Sequence, residues 1–141
     1  LEFPLRRIRT HLKQKEIDAK ITEVLENVGL ADALNKMPSQ LSGGMRKRIS
    51  LARTIVVDPQ IILYDEPTTG LDPVTSDEIS LLINEVQKKY KTSSIIITHD
   101  IRCARITANR LIMLQDGEVY SEGNMAEFDN SADKVIKSFF K

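Results

Sequence analysis

Two short apolar runs constrain the fold of this sequence more than any other feature. They are IILY at residues 61–64 and SIIIT at residues 94–98, and polar residues follow each run directly. Continuous apolar runs of this length are typical of strands buried on both faces, as in parallel sheets. Between the runs, Asp72-Pro73 resembles a helix N-cap followed by a first-turn proline. The sequence therefore predicts a strand–helix–strand unit, and with it an α/β fold with parallel strands.

The rest of the sequence predicts mainly helices. Apolar residues at helical spacing, a glycine stop and proline breaks mark their bounds. The predicted elements are a helix at residues 16–28 ended by Gly29, a turn or short helix at 31–34, a helix from Gly43 or Gly44 to Val57, a short helix to about residue 106, a hairpin turning at Asp116-Gly117, and a terminal helix at 132–140 with Val135, Ile136, Phe139 and Phe140 inward.

Composition excludes several classes of protein. Lys and Arg together number 20, as do Asp and Glu, so no global positive field argues for nucleic acid or an anionic membrane surface. The basic run at residues 46–48 is interpreted as a solvated helix face. Cys103 is the only cysteine, which rules out an internal disulfide and favours a reducing compartment. No apolar run approaches the roughly 18 residues that a membrane-spanning helix needs.

The polar residues that follow the two predicted strands are the first candidates for chemistry. Asp65-Glu66 and His99 are expected at one carboxyl edge of the sheet, where open α/β sheets bind their ligands. Asp65 suits a Mg²⁺ ion, which prefers one or two carboxylates together with water and phosphate oxygens. Glu66 could polarise an attacking water, and His99 could donate a hydrogen bond to a phosphate or to that water. From the residues alone, an acidic capping loop and a packed or capping histidine are the alternatives.

The stretch LSGGM at residues 41–45 directly precedes a predicted helix. If Ser42 is the N-cap, the free N–H groups of Gly43 and Gly44 face out from the helix start. Without side chains there, ligand oxygens can approach the backbone, and the helix dipole attracts an anion. The pattern suggests a phosphate-binding helix end, although two adjacent glycines are also typical of a flexible turn.

Taken together, four motifs resemble those of a known family. In order, LSGGM, IILYDEP, TTGLD and IITHD look like the signature motif, Walker B, D-loop and H-loop of the ATP-binding cassette (ABC) ATPases, and the resemblance covers nearly the whole chain. The resemblance implies that ATP and Mg²⁺ are bound. It also implies that Asp65 is associated with the Mg²⁺ ion, that Glu66 is the catalytic glutamate and that His99 is the switch histidine.

The resemblance also assigns the residues that contact the nucleotide. In this family the signature motif contacts the γ-phosphate of an ATP molecule held by the opposite subunit of a dimer. The nucleotide-contacting residues implied here are Leu41, Ser42, Gly43, Gly44, Met45 and Asp72.

The phosphate-cradling loop of this family is not found in the sequence. No G-x-x-x-x-G-K-[ST] pattern occurs. We therefore expect the carboxyl-terminal part of a cassette domain, with residues 1–58 as a helical subdomain carrying the signature motif and residues 59–141 as the carboxyl-terminal half of a P-loop NTPase core. About a hundred further residues are expected ahead of Leu1. Alone, the chain is expected not to hydrolyse ATP, and to self-associate through apolar surface that has lost its neighbours.

Within the family, the sequence resembles the ATPase subunits of MCE-type (Mla-like) lipid transporters. Met45 stands where glutamine is commonest, and the LEFPLR start, the NVGLADALNKMPSQ segment and the SADKVIKSFF ending carry the same resemblance. It implies lipid transport at the cytoplasmic face of the inner membrane. The implied partners are a second identical subunit, integral membrane permease subunits and an MCE-domain substrate-binding protein, with no nucleic acid. The alternatives are an importer of amino acids or other small solutes, and a soluble ABC protein of DNA repair or translation.

Overall fold

Helices precede, connect and follow two pairs of short strands. The structure is a computed structural model that describes residues 1–140. Its elements are α1 (Glu2–Ile8), α2 (Gln14–Asn27), α3 (Gly43–Ile55), β1 (Ile61–Asp65), α4 (Pro73–Tyr90), β2 (Ser93–Ile97), α5 (Ile101–Thr107), β3 (Leu111–Gln115), β4 (Glu118–Gly123), α6 (Met125–Asp129) and α7 (Lys134–Phe140). Two single-turn 3₁₀ helices, Ala31–Ala33 and Pro38–Gln40, lie between α2 and α3. Within residues 1–140 we find no helix that is both long and apolar enough to cross a bilayer.

β1 and β2 form the predicted parallel pair. Each residue of Ile61–Asp65 lies opposite a residue of Ser93–Ile97. α4 connects the two strands, and Asp72 caps its first turn as predicted, accepting hydrogen bonds from the backbone N–H groups of Val74 (3.1 Å) and Thr75 (3.0 Å). The fold is therefore α/β, with the carboxyl ends of both parallel strands at one edge of the sheet.

The prediction that both strands are buried on both faces is wrong for this chain. Ile62 is 2% exposed, whereas the next residue, Leu63, is 73% exposed. Successive side chains on a strand point to opposite faces of the sheet. The face that carries Ile62 belongs to the core. The other face, with Ile61, Leu63, Ile95 and Ile97, faces solvent, because no element among residues 1–140 covers it.

One continuous core joins the helices of the first part of the chain to the sheet. Val24 of α2 and Ile55 of α3 are fully buried, and they belong to the same cluster as Ile62 of β1 and Val86 of α4. Gly29 ends α2 in the left-handed region (φ +68°), so the chain turns back toward α3. This packing holds α3 against α2 and α4, with its first turns near the loop that follows β1.

The last part of the chain contains the predicted hairpin. β3 and β4 pair antiparallel around Asp116 (φ +51°) and Gly117 (φ +83°), the two left-handed residues that a type I′ turn requires. Ile136 of α7 is buried as predicted. Phe139 was predicted to face inward, but it is 54% exposed, because the helix presents only a narrow apolar stripe to its neighbours.

Candidate functional site

Glu66 and His99 are in direct contact where β1 and β2 end. His99 Nδ1 lies 2.8 Å from Glu66 Oε1, and the backbone N–H of His99 donates to the same oxygen over 3.2 Å. The side chain of His99 is 78% exposed and that of Glu66 is 32% exposed. The structure thus brings these two predicted residues together at a solvent-accessible edge of the sheet.

The backbone of Glu66 adopts a conformation that is uncommon for a residue with a side chain. Its φ is +46°, in the left-handed region. Its N–H donates to the carbonyl oxygen of Ile97 at the end of β2 (2.9 Å). Its carboxylate accepts hydrogen bonds from the hydroxyl groups of Thr69 (3.0 Å) and Thr98 (3.4 Å). The bend after β1 therefore places the carboxylate against the loop that follows β2.

The contact shifts the two pKa values in opposite directions. The hydrogen bond from His99 lowers the pKa of Glu66 below its ordinary value, and the Thr69 hydroxyl lowers it further. The hydrogen bond to Glu66, together with its negative charge, raises the pKa of His99. The negative charge of Asp100 acts on His99 in the same direction. An ionised carboxylate beside an imidazole can orient a water molecule and accept its proton.

Glu66→Gln is expected to move the titration of His99 to lower pH, because the amide removes the negative charge beside the imidazole. The measurement is the NMR titration of the imidazole C2–H signals in the 141-residue chain. His11 is the only other histidine, so a His11→Gln variant assigns both signals. An unchanged His99 midpoint would show that the contact with Glu66 does not persist in solution.

The same pair is expected to make folding stability depend on pH. The pKa of Glu66 is lowered, so its contribution is lost as pH falls through that lowered pKa. The pKa of His99 is raised, so its contribution is lost as pH rises through that raised pKa.

Asp65 ends β1 with an exposed side chain. It lines a cavity of about 140 Å³ between α3, β1 and α4, together with Lys47 and Tyr64. No group of three or more His, Cys, Asp or Glu side chains within residues 1–140 is arranged to hold a metal ion. A single carboxylate at a strand end fits a Mg²⁺ ion that brings phosphate and water ligands with it, rather than a preformed protein cage.

The LSGGM stretch begins α3 in the predicted way. Ser42 is the N-cap, and its Oγ accepts a hydrogen bond from the backbone N–H of Met45 (3.2 Å). Gly43 and Gly44 are the first two helical residues. Leu41 is only 8% exposed and belongs to the core. Its predicted contact with a nucleotide therefore has no support from its side-chain position.

The start of α3 and His99 face different recesses of the molecule. Ser42 and Asp72 line one recess, and His99 lines the other. Gly70 and Leu71 line both, so this short loop separates them. The LSGGM stretch and His99 therefore line different recesses of the chain.

Asp72 is primarily a helix cap. Besides the two backbone N–H groups of α4, it accepts the hydroxyl of Thr75 at 2.6 Å. These hydrogen bonds, that of the Thr75 hydroxyl first, lower the pKa of Asp72. The contact of Asp72 with a nucleotide stays a prediction.

Gly44 packs closely against the first turn of α4. A Cβ added there would lie 2.8 Å from Cγ2 of Thr75, whereas a Cβ added at Gly43 would lie 3.4 Å from Cδ2 of Leu71. The hydrogen bond to Asp72 holds the Thr75 side chain in its rotamer.

We therefore expect Gly44→Ala to be less stable than the matched control Gly43→Ala by roughly 1–2 kcal/mol, the usual cost of mild overpacking. Urea unfolding of the 141-residue chain measures the difference. Equal free energies of unfolding would show that α3 and α4 adjust freely at this contact.

The basic run at residues 46–48 is only in part the predicted solvated face, since Arg46 is exposed whereas Lys47 and Arg48 are half-buried. Its three side chains each donate to a backbone carbonyl oxygen: Arg46 to Leu41 (2.6 Å), Lys47 to Glu66 (2.9 Å) and Arg48 to Val28 (3.1 Å). Arg48 also forms an ion pair with Glu78 (3.0 Å). Sequence patterns report periodicity and composition, and they carry no signal for contacts between residues far apart in the chain.

A second link between the loops after β1 and β2 also escaped prediction. Thr68 is 4% exposed, and its hydroxyl donates to Asp100 Oδ2 over 2.8 Å. The other oxygen of Asp100 caps α5 by accepting the backbone N–H of Arg102 (2.9 Å). An aspartate directly after a predicted strand and before a short helix is a capping signal that could have identified Asp100.

The sequence is similar to known ATP-binding proteins of transporters. Residues 2–69 match the family described as ABC transporter. The methionine import ATP-binding protein MetN of Streptococcus mutans is 38% identical over 140 residues, which are 99% of this chain and 39% of that protein. The methionine import ATP-binding protein MetN 1 of Pseudomonas putida is 37% identical over 116 residues, which are 82% of this chain and 35% of that protein. The chain thus spans well under half the length of these curated relatives.

A solved structure is also similar over most of the chain. It is a dimeric structure of a post-hydrolysis state of the ATP-binding cassette MJ0796 bound to ADP and Pi. The TM-score is 0.73 at 35% identity, covering 88% of this chain and 54% of that chain.

These similarities correct the predicted subgroup. The relatives named above are methionine importers, and they support neither lipid transport nor an MCE-domain partner. The lipid-transporter resemblance rested on Met45 and a few short segments, whereas the similarity to the importers extends along the chain. Fold, motif order and identity over most of its length therefore agree in making this chain similar to ATP-binding proteins of ABC transporters, and residues 2–69 match that family.

Proposed function

We propose that the intact protein is the ATP-binding and ATP-hydrolysing subunit of an ABC importer, with an amino acid, methionine in the first place, as its cargo. The observation that carries the ATPase part is the contact of Glu66 with His99 over 2.8 Å at the carboxyl ends of two parallel strands. The proposed cargo is inferred from the names of the relatives, which are methionine import ATP-binding proteins. This is the small-solute alternative of the sequence-based prediction rather than its lipid-transport reading.

In the proposed reaction, water attacks the γ-phosphoryl group and the bond to the ADP oxygen breaks. Glu66 orients this water and accepts its proton, for which an ionised carboxylate with a lowered pKa is in the required state at neutral pH. His99 Nδ1 already contacts Glu66, and the exposed imidazole is available to donate a hydrogen bond to a phosphate oxygen. Phosphoryl transfer depends mainly on such positioning and charge stabilisation.

Asp65 and the start of α3 complete the proposed site. Asp65 would contact the Mg²⁺ ion that accompanies the ATP phosphates and neutralises their charge. Ser42, with the N–H groups of Gly43 and Gly44, would bind the γ-phosphate of an ATP molecule on a second subunit. The separate recesses of Ser42 and His99 support this division between two chains. The dimeric form of the similar solved cassette supports it as well.

The remaining proposals concern the parts of the protein and its partners. We infer that residues 1–58 form a helical subdomain directed toward membrane permease subunits, and that residues 59–141 belong to the ATPase core. The second partner is another copy of the same subunit. Association with permeases would locate the intact protein at the cytoplasmic face of the membrane.

Reconstitution of the intact subunit with its permease in proteoliposomes tests the cargo. Methionine uptake that depends on ATP, and that stops with Glu66→Gln, is the expected result. Turnover that methionine does not stimulate, together with no methionine uptake, would rule out this cargo while leaving the ATPase assignment to the hydrolysis assay.

A further inference from the structure

Lys47 connects the two separated parts of the proposed site within a single chain. It lies on α3, one turn after Gly43 and Gly44, and its side chain is half-buried. Its Nζ donates to the backbone carbonyl oxygen of Glu66 over 2.9 Å. We propose that Lys47 is a positioning residue that couples the start of α3 to Glu66; the proposal rests on the function proposed above for Glu66.

The hydrogen bonds around Glu66 show why this contact matters for its position. Its carbonyl oxygen accepts from Lys47 and, over 3.3 Å, from the N–H of Thr69. Its own N–H donates to Ile97 of β2 over 2.9 Å. The backbone of Glu66 is therefore held by α3 on one side and by β2 on the other, with the loop 66–69 closed on itself between them.

The left-handed backbone of Glu66 depends on the hydrogen bonds that hold it, including the one from Lys47 of α3. A residue with a side chain disfavours φ +46°, so the conformation depends on the groups that hold it. Lys47 supplies a charged donor, which forms a stronger hydrogen bond than a neutral one. Without it, the N–H of Thr69 is the donor that remains at this carbonyl oxygen, and the backbone that carries the carboxylate is held less firmly.

Lys47 is suited to coupling because it belongs to the same rigid helix as the glycines. If those glycines bind a phosphate on a second subunit, any shift of α3 moves Nζ relative to the Glu66 carbonyl. The neighbouring basic residues do not offer this link, since Arg46 contacts Leu41 and Arg48 contacts Val28. Contact of the glycines with the nucleotide of the second subunit would thus change the position of Glu66, the proposed general base of this chain's own site.

Steady-state hydrolysis by the intact subunit tests the functional part. Lys47→Met keeps most of the apolar stem and removes the donor, and we expect kcat to fall roughly 10- to 100-fold, the scale of a small misplacement of a catalytic group, with an unchanged KM for ATP. Lys47→Arg keeps a charged donor and should restore most of the loss. Arg53→Met, at an exposed position in the last turn of the same helix, is the matched control.

Hydrogen exchange of the 141-residue chain tests the positioning part without any ATP turnover. We expect faster exchange at residues 66–69 in Lys47→Met, protection close to that of the wild type in Lys47→Arg, and no change in α2 for either variant. Wild-type exchange and wild-type kcat in Lys47→Met would overturn the proposal. Equal impairment of the Met and Arg variants would also overturn it, because the stem and not the donor would then matter. An intact wild-type subunit without ATPase activity would refute the proposed function, while the exchange experiment would still decide the role of Lys47.

Discussion

Glu66→Gln in the intact protein is expected to reduce ATP turnover by about 10²- to 10⁴-fold, the usual contribution of a positioned general base, without loss of ATP binding. The single side-chain oxygen of glutamine can accept the backbone N–H of His99, and its amide nitrogen can donate to the hydroxyl oxygen of Thr69, so we expect the loop to keep its shape. It cannot accept a proton from water. In the proposed dimer, ATP-bound dimers should therefore accumulate, because the hydrolysis that would open the dimer no longer occurs.

Two measurements on the same protein check this result. The rate of phosphate release gives turnover, and size-exclusion chromatography with analysis of bound nucleotide gives the fraction of ATP-bound dimer. Glu85→Gln is the matched control, since Glu85 is an exposed glutamate on α4. Hydrolysis at the wild-type rate by Glu66→Gln would remove Glu66 from the role of base.

The meeting of Glu66 and His99 could be predicted because it follows from two local patterns and one topological rule. Each residue lies just beyond a continuous apolar run, and consecutive strands joined by a helix are parallel neighbours. The carboxyl ends of both strands then share an edge. The helix between them was also predictable, because Asp72-Pro73 marks its start.

The burial of the strands could not be predicted correctly from their composition. Leu63 and Ile95 are apolar, yet both are exposed. An apolar strand sequence indicates that neighbouring elements can pack on both of its faces, but it does not show whether those elements lie within residues 1–140. The chain spans 39% of the length of the Streptococcus mutans relative. The apolar sheet face that carries Leu63 and Ile95 is exposed to solvent within residues 1–140.

Other parts of the site depend on contacts that no local pattern contains. The partner of Lys47 is 19 residues away in sequence, and Thr68 meets Asp100 across 32 residues. Helix α1 was not predicted, because a proline such as Pro4 usually indicates a helix break. In the structure Pro4 lies in the first turn of α1, where proline is tolerated. Short helices such as α6 have too few turns for an apolar period to be recognised.

Mixed dimers of the intact subunit should show that Ser42 acts on the partner's nucleotide. Ser42 is exposed at the start of α3 and lines a recess that does not include His99. Arginine at this position would place a long charged side chain where the γ-phosphate must approach, so Ser42→Arg should inactivate the site to which it contributes. Combining Ser42→Arg with Glu66→Gln shows whether the inactivated site holds the nucleotide of the same chain or of its partner.

A dimer of one Ser42→Arg subunit and one Glu66→Gln subunit is expected to retain one intact site, because both defects fall on the same nucleotide. A dimer of a doubly substituted subunit and a wild-type subunit is expected to retain none, because each nucleotide then meets one defect. Single-turnover hydrolysis of bound ATP in affinity-purified mixed dimers distinguishes the two pairings. If the first dimer were inactive and the second active, Ser42 would serve the nucleotide of its own chain. The recess beside Asp72 would then have to open toward His99 across Gly70 and Leu71, a rearrangement of the loop that separates them here.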